Sequence, residues 1–290
     1  MLPENNSYTS LPKPTTEPRC LAELGHRTLI MGILNVTPDS FSDGGLFINE
    51  DSALEQAYKM IEDGADIIDV GGESTRPGSD SVPIEIELER VLPVIESLSK
   101  TAKICISIDT YKSVIAEKAL EKGASIVNDI SALSDPNMAS VVAKAGVPIV
   151  LMHKKGMPKD MQIAPHYDSL ILEISAFLQE RIQIAIESGI SPDQIIIDPG
   201  IGFGKTIAHN LEILRNLRKF KALGKPILIG TSRKSFIGKI LHTEDVKDRV
   251  EGTSATVAIA IANGADIVRV HDVKEMVRVS RIADAIVRGS

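Results

Sequence analysis

The sequence predicts an α/β fold, a single-domain (β/α)8 TIM barrel with a short N-terminal lead-in or hairpin. After Leu29, short runs rich in Ile and Val alternate eight times with amphipathic stretches of helical length. A tail of about 25 residues leaves about 33 residues for each strand and helix unit, close to the usual size of that repeat. The motif GADIIDV at 64–70 returns as GADIVRV at 264–270 and as GASIVND at 123–129, so the same helix-to-strand junction recurs.

The eight apolar runs are too short for helices and are typical of strands buried on both faces of a parallel sheet. A doubly wound sheet is the alternative, but it needs G-x-G-x-x-G after its first strand, and VTPDSFSDGG at 36–45 does not fit. The predicted strands are LIMGILN (29–35), DIIDVGG (66–72), KICISID (103–109), SIVND (125–129), VPIVLMH (147–153), IIIDPG (195–200), PILIG (226–230) and DIVRVH (266–271).

Amphipathic stretches between these runs predict the helices. Pro93 lies inside one of them and predicts a kink or a late first turn. Residues 1–18 hold four prolines and no apolar periodicity, so we expect a flexible tail before a barrel domain at 19–290. Residues 19–27 would form an extended lead-in or hairpin that covers one end of the barrel. The clearest predicted helices are 51–64, 86–100, 111–123, 170–189, 210–220 and 251–264.

Composition excludes several classes of function. The net charge of −7 argues against a surface for DNA or RNA, and an aromatic content of 3% without tryptophan argues against base stacking. The apolar runs are far shorter than a membrane span, and the N-terminus lacks a signal-peptide pattern, so we expect a cytoplasmic protein. The two cysteines, Cys20 and Cys105, are interpreted as bystanders in a reducing compartment.

Polar residues end every predicted strand, and in a TIM barrel those ends form the active site. One such residue is more often a helix cap or a satisfied core group, but eight in succession are hard to explain that way. Charges at a dry barrel mouth are costly unless they are paired or bind a ligand. The strand ends are Asn35, Asp69, Asp109, Asn128, His153, Asp198, Ser232 and the pair Arg269 and His271.

These ends and their loops suggest the chemistry of a ligand. Asp109, Asn128 and Asp198 present acceptors and a donor suited to the edge of a flat heterocycle with amino and lactam groups. A caged zinc is not indicated, because the sequence has no H-x-H, H-E-x-x-H or cysteine pair. An aldolase with a Schiff base on Lys234 stays open as an alternative. Cations near the strand ends suggest a phosphate or diphosphate ligand, namely Arg76, Lys205, Arg233, Lys234, Arg269 and nearby His271.

The motif series from residue 29 to 272 resembles that of the dihydropteroate synthase family, in the right order and over nearly every loop of the catalytic face. The resemblance implies an enzyme, a transferase of folate synthesis that joins 6-hydroxymethyl-7,8-dihydropterin diphosphate to 4-aminobenzoate and releases pyrophosphate and 7,8-dihydropteroate. It also implies a homodimer, small-molecule substrates and sulfonamide competition with the aminobenzoate. The motifs are MGILNVTPDSFSDGG (31–45), DVGGESTRPG (69–78), SIDT (107–110), VNDIS (127–131), LMH (151–153), DPGIGFGK (198–205), GTSRKSF (230–236) and RVHD (269–272).

The resemblance also implies roles for individual residues. Asn35 would touch Mg²⁺, and the catalytic set would be Asp109, Lys234, Asn35 and Arg269. The loops 37–45 and 71–78 would close over the diphosphate. The stretch KKGMPKDMQ after LMH is more basic than is usual in the family. The pterin would contact Asp109, Asn128, Met152, Asp198, Lys234 and Arg269; the diphosphate Asn35, Thr75, Arg76, Arg269 and His271; and the aminobenzoate Thr75, Pro77, Phe203, Ser232 and Lys234.

The expected mechanism is a Mg²⁺-assisted dissociative substitution in which the arylamine attacks directly, so that no side-chain nucleophile is needed. Two alternatives remain at this point. One is a barrel that takes a methyl group from methyl-tetrahydrofolate and passes it to a corrinoid protein. The other is a pterin-binding paralogue without turnover, which would be expected to lack at least one of the charged or amide groups of the site.

Overall fold

The computed structural model describes residues 19–37, 50–74, 79–156, 161 and 164–289, and within them it confirms the predicted barrel. Eight parallel strands pair in the order β6-β5-β4-β3-β2-β1-β8-β7. A single parallel bridge between Ile197 and Ile227 joins the two outer strands and closes the barrel. The strands are β1 (Leu29–Asn35), β2 (Ile67–Gly71), β3 (Cys105–Asp109), β4 (Ile126–Asp129), β5 (Ile149–Met152), β6 (Ile195–Asp198), β7 (Leu228–Ile229) and β8 (Ile267–Val270).

The helices lie between successive strands, and the six predicted ones are confirmed with small shifts of their ends. One of them, α2, continues through Pro93, so the predicted late first turn is wrong. Three helices were not among those predicted most clearly: α4 and α7, which have only 8 and 7 residues, and α9, which has 15. The helices are α1 (Glu50–Glu62), α2 (Ile84–Thr101), α3 (Ser113–Glu121), α4 (Met138–Ala145), α5 (Leu170–Glu187), α6 (Ile207–Asn216), α7 (Ser235–Leu241), α8 (Val250–Ala262) and α9 (Val273–Val287).

The lead-in covers the amino end of the barrel, as predicted, but it is a 3-10 helix, Arg19–Glu23, rather than a hairpin. Leu21 and Leu24 pack against the apolar cluster inside the barrel. The lead-in therefore belongs to the fold. Residues 1–18, which are the predicted tail, lie outside the described residues.

The apolar residues form two layers. The larger one fills the space between the strands and the helices around them. The inner layer consists of one or two side chains from each contributing strand, and Cys105 packs against it. Because side chains of a strand alternate between its two faces, residues two positions farther along point into the barrel above this layer. The inner layer is Leu29, Met31, Ile67, Ile126, Val150, Ile196, Leu228 and Ile267.

Cys105, the first residue of β3, is disulfide-bonded. The interpretation of Cys105 as a bystander without a disulfide is therefore wrong. Across the described part of the chain, no helix is both long and apolar enough to cross a bilayer.

Candidate active site at the carboxyl end of the barrel

The polar strand ends meet at one mouth of the barrel, directly above the inner apolar layer. Four of them, and the apolar Met152, lie two residues beyond a member of that layer, as a strand period of two requires. Asp109 and Asn128 are neighbours in the pairing of β3 with β4, and Met152 and Asp198 are neighbours in the pairing of β5 with β6. The residues placed in this way are Asp69 above Ile67, Asn128 above Ile126, Met152 above Val150, Asp198 above Ile196 and Arg269 above Ile267.

Arg269 crosses the mouth and holds two carboxylates. Its Nε donates to Oδ2 of Asp69 at 2.6 Å, and its Nη2 donates to Oδ2 of Asp109 at 2.6 Å. The Nδ2 of Asn128 donates to the same Asp69 oxygen at 3.0 Å. These bonds join side chains from β2, β3, β4 and β8 in one buried network. Asp69 is therefore a site residue that the resemblance did not assign, although its position at a strand end pointed to it.

Burial and neighbouring charges shift the protonation of this network. Burial, opposed by Arg269, raises the pKa of Asp109 to about 7, and the negative charge of Asp69 adds to the rise. Burial opposes the charge of Arg269, but Asp69 and Asp109 outweigh it and raise the pKa of the guanidinium. Three buried atoms of this group, Oδ1 of Asp69, Oδ1 of Asp109 and Oγ of Ser107, have no hydrogen-bond partner among the described residues. Buried polar atoms are normally paired, so these acceptors are available to the donors of a ligand.

On the other side of the mouth, Lys234 extends toward Asp198 and the loop after β6. Its Nζ donates to the carbonyl oxygen of Ile201 and lies 4.7 Å from the centroid of the Phe203 ring. Burial lowers the pKa of Lys234 to about 8, although Asp198 opposes that shift. Burial also raises the pKa of Asp198, whose Oδ1 accepts a 2.7 Å hydrogen bond from the backbone of Gly200. The structure therefore brings Asp198 and Phe203 to the same side of the mouth as Lys234.

A second polar pair, Ser232 and His271, lies just beyond the carboxyl ends of β7 and β8. Oγ of Ser232 lies 3.0 Å from Nδ1 of His271, and the backbone N–H of His271 donates to the same hydroxyl at 3.1 Å. Asn35 ends β1 and is half-buried, beside Gly71 in the pairing with β2. The structure thus places an amide, a hydroxyl and an imidazole around the β1, β7 and β8 side of the mouth.

Two of the predicted cations serve other partners, which corrects their assignment to an anion cluster. Arg233 forms two bonds with Asp272, from Nε at 3.0 Å and from Nη2 at 2.5 Å. Lys205 is buried against His153 and backbone carbonyls beneath the loop after β6. The partners of these two cations could not be inferred from the sequence, because they depend on which loops pack together.

Lys112, which follows β3, was not predicted from the sequence as part of the site, and neither was its partner Glu73 at the start of the second loop. Its Nζ lies 2.6 Å from Oε2 of Glu73 and 2.6 Å from Oε2 of the buried Glu87. The hydroxyl of Tyr111 donates to Oε1 of Glu73 at 3.0 Å. The network fixes the first part of the GGESTRPG segment. Thr75, Arg76, Pro77 and residues 38–45 lie outside the described residues, so their predicted roles stay predictions.

Comparisons with known proteins agree with this site. The pterin binding enzyme family matches residues 31–271. Dihydropteroate synthase of Synechocystis sp. is 50% identical over 278 residues, which are 96% of this chain and 96% of that protein. The Yersinia pestis dihydropteroate synthase in a sulfonamide drug complex superposes with a TM-score of 0.87 at 44% identity, over 91% of this chain and 96% of that one. The Xanthomonas albilineans dihydropteroate synthase with 4-aminobenzoic acid gives a TM-score of 0.85 at 44% identity, over 90% and 93% of the two chains.

The family match spans most of the chain, and it includes every strand end that forms the mouth. The buried acceptors and the lysine beside Asp198 both lie at the carboxyl end of this barrel, within the matched residues. The chain therefore belongs to the pterin-binding enzyme family, as a transferase of the dihydropteroate synthase type.

Proposed function

We propose that this barrel mouth joins 6-hydroxymethyl-7,8-dihydropterin diphosphate to 4-aminobenzoate and releases pyrophosphate and 7,8-dihydropteroate. The observation that carries the proposal is the buried network of Asp69, Asp109, Asn128 and Arg269, with two carboxylate oxygens left for ligand donors. A pterin edge supplies such N–H donors. The similarity to dihydropteroate synthases supports the same substrates.

In this proposal the pterin lies across the mouth with its polar edge on Asp109, Asn128, Asp198 and Lys234. Met152 is buried at the end of β5, next to Asp198, and offers a polarisable surface to one ring face. The planar guanidinium of Arg269, held by its two carboxylates, offers a surface to the other. The inner apolar layer below the mouth excludes water from the buried side.

The diphosphate would lie toward Asn35, Arg269 and His271, with Thr75 and Arg76 reaching it from the second loop. The donor set fits Mg²⁺ only as a shared site. No group of three or more metal-binding side chains occurs within the described residues, and Mg²⁺ commonly takes one or two protein oxygens together with water and substrate phosphates. The amide oxygen of Asn35 would hold the ion, which when bound supplies positive charge to the leaving diphosphate.

The aminobenzoate would lie among Thr75, Pro77, Phe203, Ser232 and Lys234. Lys234 supplies a cation for its carboxylate, and the Phe203 ring beside it supplies an apolar contact for the aromatic ring. Ser232 is buried next to His271 and supplies a hydroxyl. We propose that sulfonamides compete here, as the drug complex of the Yersinia pestis relative suggests.

The reaction would be a dissociative substitution. The bond from the exocyclic carbon to the diphosphate oxygen breaks, and its electron pair leaves with the diphosphate. The pterin ring shares the positive charge that remains, and the ionised carboxylate of Asp109 stabilises it in a water-poor site. The arylamine nitrogen then forms the new bond and loses a proton to solvent. Lys234 and Arg269 hold the two substrates so that the amine faces the carbon.

We further propose a homodimer and a cytoplasmic location. Exposed apolar side chains on α8 and α9, Ile259, Ile282 and Ile286, support a subunit interface, because clustered apolar surface marks association sites. Sedimentation of the purified protein tests the dimer. The cytoplasmic location agrees with folate synthesis. Trapping free thiols in freshly lysed cells tests it, because a cytoplasmic Cys105 is expected to be reduced and to react, whereas a disulfide-bonded Cys105 does not react.

The decisive experiment combines the enzyme with the pterin diphosphate and 4-aminobenzoate, with and without Mg²⁺, and follows pyrophosphate. We expect release that requires the aminobenzoate and Mg²⁺. Release without aminobenzoate would indicate a hydrolase instead. Borohydride trapping of a substrate on Lys234 would restore the aldolase alternative, and transfer of a methyl group from methyl-tetrahydrofolate would restore the methyltransferase.

A further inference from the structure

Lys205 ends the loop that follows β6, and it is buried to an unusual degree for a lysine. Only 2% of its surface is exposed, whereas lysines are almost never fully buried unless they have partners. The proposed reaction uses the neighbouring Phe203 and Lys234 but gives Lys205 no role. Its polar contacts show what the buried amine does.

The Nζ of Lys205 has three acceptors within reach. It lies 3.0 Å from Nδ1 of His153, 3.0 Å from the carbonyl oxygen of Phe203 and 3.4 Å from the carbonyl oxygen of His153. Burial lowers the pKa of the Lys205 amine well below its usual value, and the charge of Asp198 opposes that shift. Each of the three atoms can pair with the amine, whose protonated form has three protons to donate. Burial lowers the pKa of His153 to about 2, so this imidazole is neutral and can accept at Nδ1. Lys205 therefore ties the loop after β6 to the end of β5.

The loop is pressed tightly against its neighbours on the β5 side. Gly200 and Gly204 both have positive φ, and a Cβ atom at either would overlap a carbonyl oxygen, that of His153 or of Lys155. The hydroxyl of Tyr167 adds a second tie by donating to the carbonyl oxygen of Gly204 at 2.9 Å. Two buried side chains thus fix the backbone at Phe203 and at the next residue, Gly204.

Phe203 lies between these ties and Lys234, whose Nζ is 4.7 Å from the ring centroid. Asp198, on the pterin side, is held separately by its strand and by the Gly200 amide. Loosening the loop would therefore move the Phe203 ring relative to Lys234 more than it would move Asp198.

We propose that Lys205 is a positioning residue that holds Phe203 against Lys234 and so sets the affinity for the arylamine substrate. This inference rests on the proposed function. Lys205 lies beneath the loop, and it acts on the Phe203 ring through its contacts with the carbonyl oxygen of Phe203 and with His153.

The test is Lys205→Met, which keeps the length of the side chain and removes its donors. We expect the KM for 4-aminobenzoate to rise about tenfold, as leaving a buried acceptor without its hydrogen bond would produce. The KM for the pterin diphosphate should change less than about threefold. Tyr167→Phe removes the second tie and should raise the same KM by a smaller factor.

The matched control is Thr206→Ala. Thr206 is the next residue along and caps α6 by accepting from the backbone of His209 at 3.1 Å, so its loss should lower the melting temperature without changing either KM. A merely structural role for Lys205 predicts the same behaviour as this control.

Several outcomes would overturn the inference. One is an unchanged KM for 4-aminobenzoate in Lys205→Met, and another is an equal rise of both KM values. If Lys205→Met does not fold, an unchanged KM in Tyr167→Phe overturns it, and a selective rise supports it. Absence of pyrophosphate release by the wild-type enzyme would overturn the proposed function and this inference with it, whereas an active wild type with unchanged KM values would overturn the inference alone.

Discussion

The two ends of the barrel use the same residue, aspartate, in opposite ways. At the amino end, Asp284 accepts from the backbone N–H of Thr28 at 2.8 Å, from its hydroxyl at 2.8 Å and from Nε of Arg288 at 2.7 Å. Asp66 likewise accepts from Arg27 and from the backbone of Ile30. These carboxylates are fully engaged by the protein itself.

At the carboxyl end, Asp69 and Asp109 share one arginine and each keeps an oxygen without a partner among the described residues. The carboxylates at the amino end, which are fully hydrogen-bonded, therefore stabilise the fold. Those at the carboxyl end keep oxygens that can bind the donors of a ligand. Mutations at the two ends should therefore separate activity from stability.

The largest effect is expected from Asp109→Asn at the mouth. The neutral amide cannot stabilise a cationic pterin, so kcat should fall by about 10²- to 10³-fold. Stability should be unchanged or higher at pH 8, because the substitution removes a buried charge that lies near Asp69. Steady-state kinetics and urea unfolding of the same preparation measure both. A mutant that keeps wild-type kcat would remove Asp109 from the chemistry.

Asp284→Ala at the amino end should lower stability and leave kcat unchanged. Three donors from Thr28 and Arg288 lose their acceptor, so the free energy of unfolding should fall by about 2–4 kcal/mol. The kcat of the folded enzyme should stay at the wild-type value. Loss of kcat without loss of stability would contradict the division between the two ends.

The pH dependence should come from the mouth alone. If the reaction needs ionised Asp109 and protonated Lys234, kcat/KM should fall about tenfold per unit on the acid side of the Asp109 pKa and on the alkaline side of the Lys234 pKa. The two limbs are expected near pH about 7 and pH about 8. Asp109→Asn should lose the acid limb, and a retained limb would assign it to another group.

Stability should respond to pH with a defined sign. The native pKa of Asp109 lies above its ordinary value of 3.8, so between the two values the folded state binds more protons than the unfolded state. Its contribution to stability is therefore lost as pH rises from about 4 to about 7. The slope of unfolding free energy against pH in that window should be less negative in Asp109→Asn than in the wild type.

The smallest effect is expected at Cys105, at the amino end. Reduction with dithiothreitol should lower the melting temperature by a few degrees, in keeping with the stabilisation that disulfides usually give, and should leave both KM values unchanged. Cys105→Ala should have a similarly lowered melting temperature that no longer responds to the reductant. An altered KM would show that the amino end influences the site.

The sequence predicted much of the fold and the site because both follow from short-range patterns. Short runs rich in Ile and Val located the strands, and the strand ends located Asp109, Asn128, Asp198 and Arg269 together at one mouth. The partners of Arg233 and Lys205 could not be predicted, because a cation near a strand end can face the ligand or an acceptor from another loop. The ion pair with Asp272 and the contact with His153 arise only from tertiary packing.

The closure of the barrel decides which contacts hold the wall beside the arylamine. β6 and β7 meet through one bridge, Ile197 with Ile227, and β7 is only two residues long. The loops after these two strands carry Phe203 and Lys234, whereas Asp69, Asp109 and Asn128 lie on strands that are paired on both sides. The wall that meets the arylamine therefore has little strand pairing of its own, and the buried contacts of Lys205 and Tyr167 with the loop after β6 take over the task of holding Phe203 in place.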